Sequence, residues 1–235
     1  MAVFTRDGAK ENIRNLDGKR VFYLADGDHL TPSARQWLTE ENIAIIPPTA
    51  GNVKEYRTLD GAILRQKPEH MTHLRGNTLV RKDHPRIKFR GMVDFLEAEL
   101  LLAIKTADES TAQKLLQVLN VVRQLIRADV LDEPVEIETI CGLTMQQLRE
   151  RSHYPHKYYE QPHFMPSEKD SVLLLTLNRV RTVIRQTELA AFDAFHDPEG
   201  AVTRKDILQT LNRLSSMLWI MMIEKKREER NADRS

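Results

Sequence analysis

From Phe89 onward, apolar residues recur at spacings of three and four, the repeat of one helix face. Phe89, Val93, Leu96, Leu100, Ala103 and Ile104 form the first such stripe. "STAQKLLQVLNVVRQLIRADVL" predicts a second helix capped by Ser110 or Thr111, and "LTMQQLRERS" a shorter third. "SEKDSVLLLTLNRVRTVIRQTELAAFDAF" predicts a long fourth, opened by Ser167 with Asp170 in its first turn. "TRKDILQTLNRLSSMLWIMMIEKKREER" predicts a fifth, capped by Thr203 and ending in a solvated charge run. With no strand pattern between them, these helices can bury their stripes only against one another. The expected fold is mainly α, a five-helix antiparallel bundle.

The first 66 residues are patterned differently. "RVFYLADG" reads as a short strand, and "NIAIIPP" as another stopped by Pro47 and Pro48. Between them, "LTPSARQWLTEE" starts a helix with Thr31 as N-cap and Pro32 at the first helical position. Residues 1–66 are therefore expected to form a small α/β extension, and 67–235 the helical-bundle domain.

Function classes narrow from charge and cysteine usage. The formal charge of +1 gives no global field toward nucleic acid or anionic lipid. Cys141 is the single cysteine, which excludes an internal disulfide and fits a reducing compartment. No apolar run approaches the roughly 20 residues of a membrane span. The start, "MAVFTRDGAKENIRNL", lacks the apolar core of a secretory signal. A cytoplasmic protein without membrane or nucleic-acid partners is expected.

Local charge is less even. Residues 67–90 carry seven Lys and Arg against Glu69 and Asp83, a local +5 that leaves −4 for the rest. Cations and backbone donors just before a helix suit a polyphosphate, and equally describe a solvated basic loop. In the fourth helix Asn178, Arg181, Arg185 and Glu188 fall within an arc of roughly 80°. Asn212 and Ser216 line up on the fifth, and Asp94 and Glu97 sit just off the apolar line of the first. Such stripes are either wet faces or the walls of a site between helices. No Ser-His-Asp pattern, HExxH, CxxC or phosphate-loop motif occurs. Between the third and fourth helices, "RSHYPHKYYEQPHFMPS" crowds three histidines and four aromatics between prolines. From the residues alone it is a metal site, a stacking platform, a pocket lid or a loop that packs well.

In order and spacing, "HPRIKFRGMVDFLEAELLLA", "RERSHYPHKYY", "LNRVRTVIRQTE" and "LNRLSSMLW" resemble the corrinoid adenosyltransferases. Similarity to the ethanolamine-utilisation type extends over nearly the whole chain, including "LTPSARQWLTEENI"; that to the propanediol-utilisation type begins near Lys82. The resemblance implies transfer of the 5′-deoxyadenosyl group of ATP to the cobalt of reduced cobalamin, with release of triphosphate. Co(I) is itself the nucleophile, which accounts for the missing catalytic set, and the protein binds, orients and supplies electrostatics. An apolar wall that expels the lower axial ligand would also make Co(II) easier to reduce. The alternative is a non-catalytic cobalamin- or nucleotide-binding carrier, or another ATP-using helical enzyme.

Residue by residue, the resemblance gives Phe164 the role of closing the lower corrin face. Tyr154, Tyr158 and Tyr159 would complete that wall, with His153 and His163 holding the loop. Asp94 matches a family aspartate and Arg181 the arginine that pairs with it. Arg185, Glu188 and Asn212 match ATP-contacting residues, Lys82 a phosphate-contacting lysine, and "THLRGNTLVRK", with Arg75, stands in for the family's Gly-rich triphosphate loop. Ser216 replaces an aspartate of propanediol-type members. Some ethanolamine-type members hold a metal on a cysteine cluster; His70 and His73 have no cysteine nearby, so no protein-bound metal is expected and Mg²⁺ would arrive with ATP. Also implied are a homo-oligomer, a reduced flavin or flavodoxin-type electron donor, and a role in bacterial ethanolamine utilisation, with association with a microcompartment.

Overall fold

The computed structural model describes residues 2–16, 18–25, 27–47 and 55–232. Asp26 and Pro48 of the two predicted N-terminal strands lie outside the described residues. The chain forms two compact units, one of residues 1–69 with 77–79, the other of 70–76 with 80–235.

In the first unit β1 (Val3–Phe4), α1 (Arg6–Glu11), β2 (Ile13–Leu16), β3 (Lys19–Tyr23), β4 (His29–Leu30), α2 (Pro32–Glu40) and β5 (Ala44–Ile46) follow in order. Both expected strands are present, as β3 and β5, which pair in parallel, while β2 runs antiparallel on the other edge of β3. Thr31 caps α2 as its sequence predicts, accepting a hydrogen bond from the Ala34 amide at 3.3 Å. Phe22, Ala34, Trp37, Leu38 and Ile43 form a small core, with Phe4 edge-on to Phe22 at 5.2 Å. Then β6 (Tyr56–Thr58) pairs antiparallel with β7 (Ile63–Leu64).

The basic segment read as a loop is instead β-structure, β8 (Met71–Arg75) and β9 (Thr78–Arg81). Leu74, Leu79 and Val80 are buried, which anchors both strands. Gly76, at φ +50°, makes the turn between them.

The bundle consists of α3 (Pro85–Thr106), α4 (Glu109–Leu131), α5 (Met145–His153), α6 (Pro155–Tyr159), α7 (Val172–Ala194) and α8 (Lys205–Ala232). All five expected helices are there; α6 is an extra turn inside the proline-rich stretch. Between α4 and α5 lies a hairpin of β10 (Thr139–Ile140) and β11 (Leu143–Thr144). The predicted stripe of α3, from Phe89 through Val93, Leu96 and Leu100 to Ala103, is fully buried. It joins Leu177, Val180 and Ile184 of α7 and Leu211, Leu214 and Leu218 of α8 in one core. Each such Phe, Val, Leu or Ile side chain contributes about 1.5–3 kcal/mol.

Three predicted caps shift. Asp108, not Ser110 or Thr111, caps α4, accepting the Thr111 amide at 2.9 Å. Ser171 caps α7 in place of Ser167, because Ser167 and Asp170 close a turn of their own. The Thr203 hydroxyl donates to the Phe195 carbonyl at 2.8 Å rather than opening α8. Near the start of α3, Arg86 and Arg90 converge on Asp129 of α4, which is 0% exposed. Arg90 also donates to the carbonyls of His73 and Leu74, tying β8 to the bundle.

Candidate functional site

The stretch from α5 to α7 is pinned at both ends. At its start Thr144 and Gln147 form a reciprocal capping box on α5. Glu160 ends α6 in the left-handed region at φ 52°, turning the chain into the loop of Gln161 to Asp170. There the His163 ring hydrogen-bonds the His153 carbonyl at 3.2 Å. At the far end the Ser167 amide donates to Asp170 at 2.7 Å, and Asp170 is gripped in turn by Lys226 of α8. The hydrogen bond from Lys226, strongest of its influences, holds the Asp170 carboxyl below the usual carboxylate range.

Between these anchors Phe164 is held over α8. Its ring stacks on Trp219 at 5.0 Å and 24°, and His163 lies parallel to the same indole at 5.9 Å. The Arg181 guanidinium sits 5.2 Å from that ring's centroid. Trp219 thus joins the loop to α7. It lies in the quoted "LNRLSSMLW" but carries no predicted role; Asn212, Ser216 and Trp219 follow at i, i+4 and i+7, one helix face, which is the signal that marks it.

A cleft of about 620 Å³ opens beside this cluster. The loop lends it His163, Phe164, Met165 and Pro166, and α5 lends Ser152 and His153. Asn178, Arg181 and Arg185 of α7 and Asn212, Ser215, Ser216 and Trp219 of α8 complete the lining. Glu188 accepts from the Asn212 amide at 3.0 Å, fixing that side chain at the cleft's edge. Arg181 Nε is buried without a hydrogen-bond partner. Burial, and then the charge of Arg185, push the Arg181 pKa down from its usual value. The arrangement sets aromatic rings beside cationic side chains. It suits a large, flat, partly apolar ligand beside a phosphate.

Several predicted residues lie elsewhere. Asp94 and Arg181 do not pair within the chain. Asp94 follows Val93 by one residue, about 100° round the helix, and so is exposed beside Phe95. The carboxylate that does join α3 to α7 is Glu99, 7% exposed, bound by both Nε and Nη2 of Arg179 at 2.7 Å. Lys82 and Arg75 do not line the cleft; Arg75 pairs with Asp132 at 3.1 Å, both half-exposed.

Nor do the three tyrosines wall the cleft. Tyr154 is 62% exposed, Tyr158 donates its hydroxyl to Glu150, and Tyr159 is buried in the bundle core. A helix forms at α6 because Pro155 sits at its first position, and that turn takes up Tyr158 and Tyr159. His153, His156 and His163 share a separate hollow of about 380 Å³ with Tyr154. Among the described residues no group of three or more His, Cys, Asp or Glu side chains is placed to hold a metal ion. Cys141 is half-buried, and burial pushes its thiol up to about 11. Among the described residues no helix is long and apolar enough to cross a membrane.

Residues 62–225 match the sequence family described as cobalamin adenosyltransferase. The chain is 36% identical over 159 residues to the corrinoid adenosyltransferase EutT of Salmonella typhimurium (strain LT2), and equally to that of Escherichia coli (strain K12). Each match covers 67% of this chain and 59% of the relative. In fold, it resembles a variant PduO-type ATP:corrinoid adenosyltransferase from Lactobacillus reuteri complexed with cobalamin and ATP. The TM-score is 0.53 at 16% identity, over 68% of this chain and 91% of that one. A second variant of the same enzyme gives 0.50, over 78% and 92%. The mainly α bundle with an N-terminal α/β part agrees with this likeness. The chain belongs to the cobalamin adenosyltransferase family.

Proposed function

We propose that the chain transfers the 5′-deoxyadenosyl group of ATP to the cobalt of cob(I)alamin, forming adenosylcobalamin. The cobalt lone pair makes the bond to C5′ as the C5′–O bond breaks, and the electrons leave with triphosphate. The observation that carries the reading is the cleft itself, lined by Phe164 and Trp219 together with Arg181, whose Nε is unpartnered. A ligand that supplies its own nucleophile needs only such a shaped, charged surface.

In this reading Phe164 closes the lower face of the corrin and expels the axial base, and His153 and His163 hold its loop. Arg181 borders the corrin, while Arg185, Glu188 and Asn212 bind ATP, which brings Mg²⁺ with it. Lys82, Arg75 and Asp94 act as part of a homo-oligomer, reaching the cleft of a second copy. What supports this is the row of Asp94, Phe95, Leu101 and Leu102, exposed on α3 and spaced as one helix face. The division into residues 1–66 and 67–235 assigns the chemistry to the second part. A reduced flavin or flavodoxin-type protein supplies the electron for Co(I). The setting is bacterial ethanolamine utilisation, in the cytoplasm and in association with a microcompartment.

The test is to incubate the protein with ATP and chemically reduced cobalamin, following the visible spectrum and the phosphate product. Adenosylcobalamin and triphosphate in equal amounts are expected. Binding of both ligands with neither product would make the chain a carrier.

A further inference from the structure

A second cavity, of about 470 Å³, adjoins the same loop. Gln161 lines it from the loop, Lys169 from just before α7, and Lys226, Glu229 and Arg230 from α8. Five buried side-chain polar atoms among the described residues have no hydrogen-bond partner, and three belong here: Gln161 Oε1, Glu229 Oε1 and Arg230 Nε. Gln161 is only 6% exposed. Orphaned polar atoms are rare in folded proteins, because each bears its full desolvation penalty. Three at one cavity mark a place built for a polar occupant.

The orphans also describe that occupant. Gln161 and Glu229 offer acceptors and call for hydroxyl donors. Arg230 Nε and the exposed Lys169 ammonium offer donors and charge. Lys226 adds a third cation, partly spent on Asp170. With Lys226 met by Asp170, Lys169 and Arg230 against the Glu229 carboxylate still leave the wall positive. Hydroxyls beside an anion are the pattern of a sugar phosphate.

The reading of the Phe164 cleft as a corrin site, on which this inference rests, supplies such a group. In cobalamin the lower axial base hangs from the corrin through a ribose and a phosphodiester. Once expelled from cobalt, that arm must leave the lower face. Phe164 is three residues from Gln161, and Lys226 Nζ lies 5.8 Å from its ring centroid, so the residue that expels the base also borders the second cavity. We propose that this cavity receives the ribose phosphate of the displaced lower arm.

The experiment compares cobalamin with cobinamide, a corrin lacking the base, ribose and phosphate. Affinities of the Co(II) forms are measured by absorbance titration with ATP present, for the wild type, Lys169→Ala and Arg230→Gln. Cobalamin is expected to bind the wild type about tenfold more tightly than cobinamide, the scale of one charge-assisted contact. Each variant should lose about that factor for cobalamin and nothing for cobinamide. Equal losses for both corrinoids, or none for either, would overturn the assignment. So would weakened ATP binding with cobalamin unchanged, which would make a nucleotide the source of the sugar phosphate. Should the wild type bind neither corrinoid, the cleft reading fails and the arm site falls with it; cobinamide binding alone separates the two failures.

Discussion

Replacing Trp219 by Leu removes the surface on which Phe164 rests while leaving every loop residue in place. Three contacts are lost that Leu cannot make: the stacks with Phe164 at 5.0 Å and His163 at 5.9 Å, and the Arg181 guanidinium at 5.2 Å from the ring. An aromatic pair contributes about 0.5–1.5 kcal/mol beyond buried area, and a partly exposed cation over a ring about 0.5–1 kcal/mol. Arg181 lies on α7, so only the two stacks hold the loop, which loses about 1–3 kcal/mol of docking energy, a fall of about 5- to 160-fold in the ratio of docked to undocked loop. Amide hydrogen exchange across residues 161–167 reads that change directly. Adenosylation should fall when Co(II) is supplied with a reductant, because the lower ligand is no longer excluded. It should survive much better with Co(I) formed chemically beforehand. Phe164→Ala should behave alike. Unchanged exchange in the loop, or equal loss in both activity assays, would refute the claim that Trp219 acts by holding Phe164.

Asp129→Ala leaves Arg86 and Arg90, each 16% exposed, without their carboxylate. Loss of about 3–5 kcal/mol is expected, lowering the melting temperature by about 6–20 °C at 2–4 °C per kcal/mol; a loss under about 1 kcal/mol would contradict the network's role. Lys82→Ala should weaken ATP binding by about 1.5–3 kcal/mol, and Arg75→Ala by less, since Asp132 already engages it. Calorimetry showing unchanged affinity in both variants would return the segment to a solvated surface. At the head of α3, His84 Nδ1 accepts the Arg86 amide at 3.2 Å. Burial, and then Arg86 and Arg90, hold its pKa below the ordinary 6.5. The neutral ring is thus favoured on folding, and its contribution is complete above 6.5 and lost as pH falls through the lower folded value. Thermal melts from pH 7 to 5 should drop more for the wild type than for His84→Asn, and parallel curves would show that His84 does not contribute.

Periodicity reveals the bundle because burial on a helix repeats every three or four residues, as it does from Phe89 to Ala103. Caps are less legible: Asp108, Ser110 and Thr111 all suit an N-cap, and tertiary packing decides among them. The β8–β9 segment reads as a loop because its charges mask the buried Leu74, Leu79 and Val80. At the cleft, the polar arc of α7 and the line of α8 place Arg181, Arg185 and Asn212 together, since helical spacing alone puts them on facing stripes. The pairing of Asp94 fails for the same geometric reason: a residue one step from a buried position can face solvent, and only three-dimensional packing shows that Glu99 points inward. The tyrosines of the proline-rich stretch are misplaced because a five-residue helix inside it escapes periodicity.

Whether the Phe164 cleft strips cobalamin of its lower ligand is read most directly by electron paramagnetic resonance of cob(II)alamin bound together with ATP. A base coordinated to Co(II) imprints its nitrogen splitting on the cobalt signal. The account predicts that this splitting disappears on the wild-type protein and persists on Phe164→Ala. Splitting retained on the wild type under saturating ATP would contradict it.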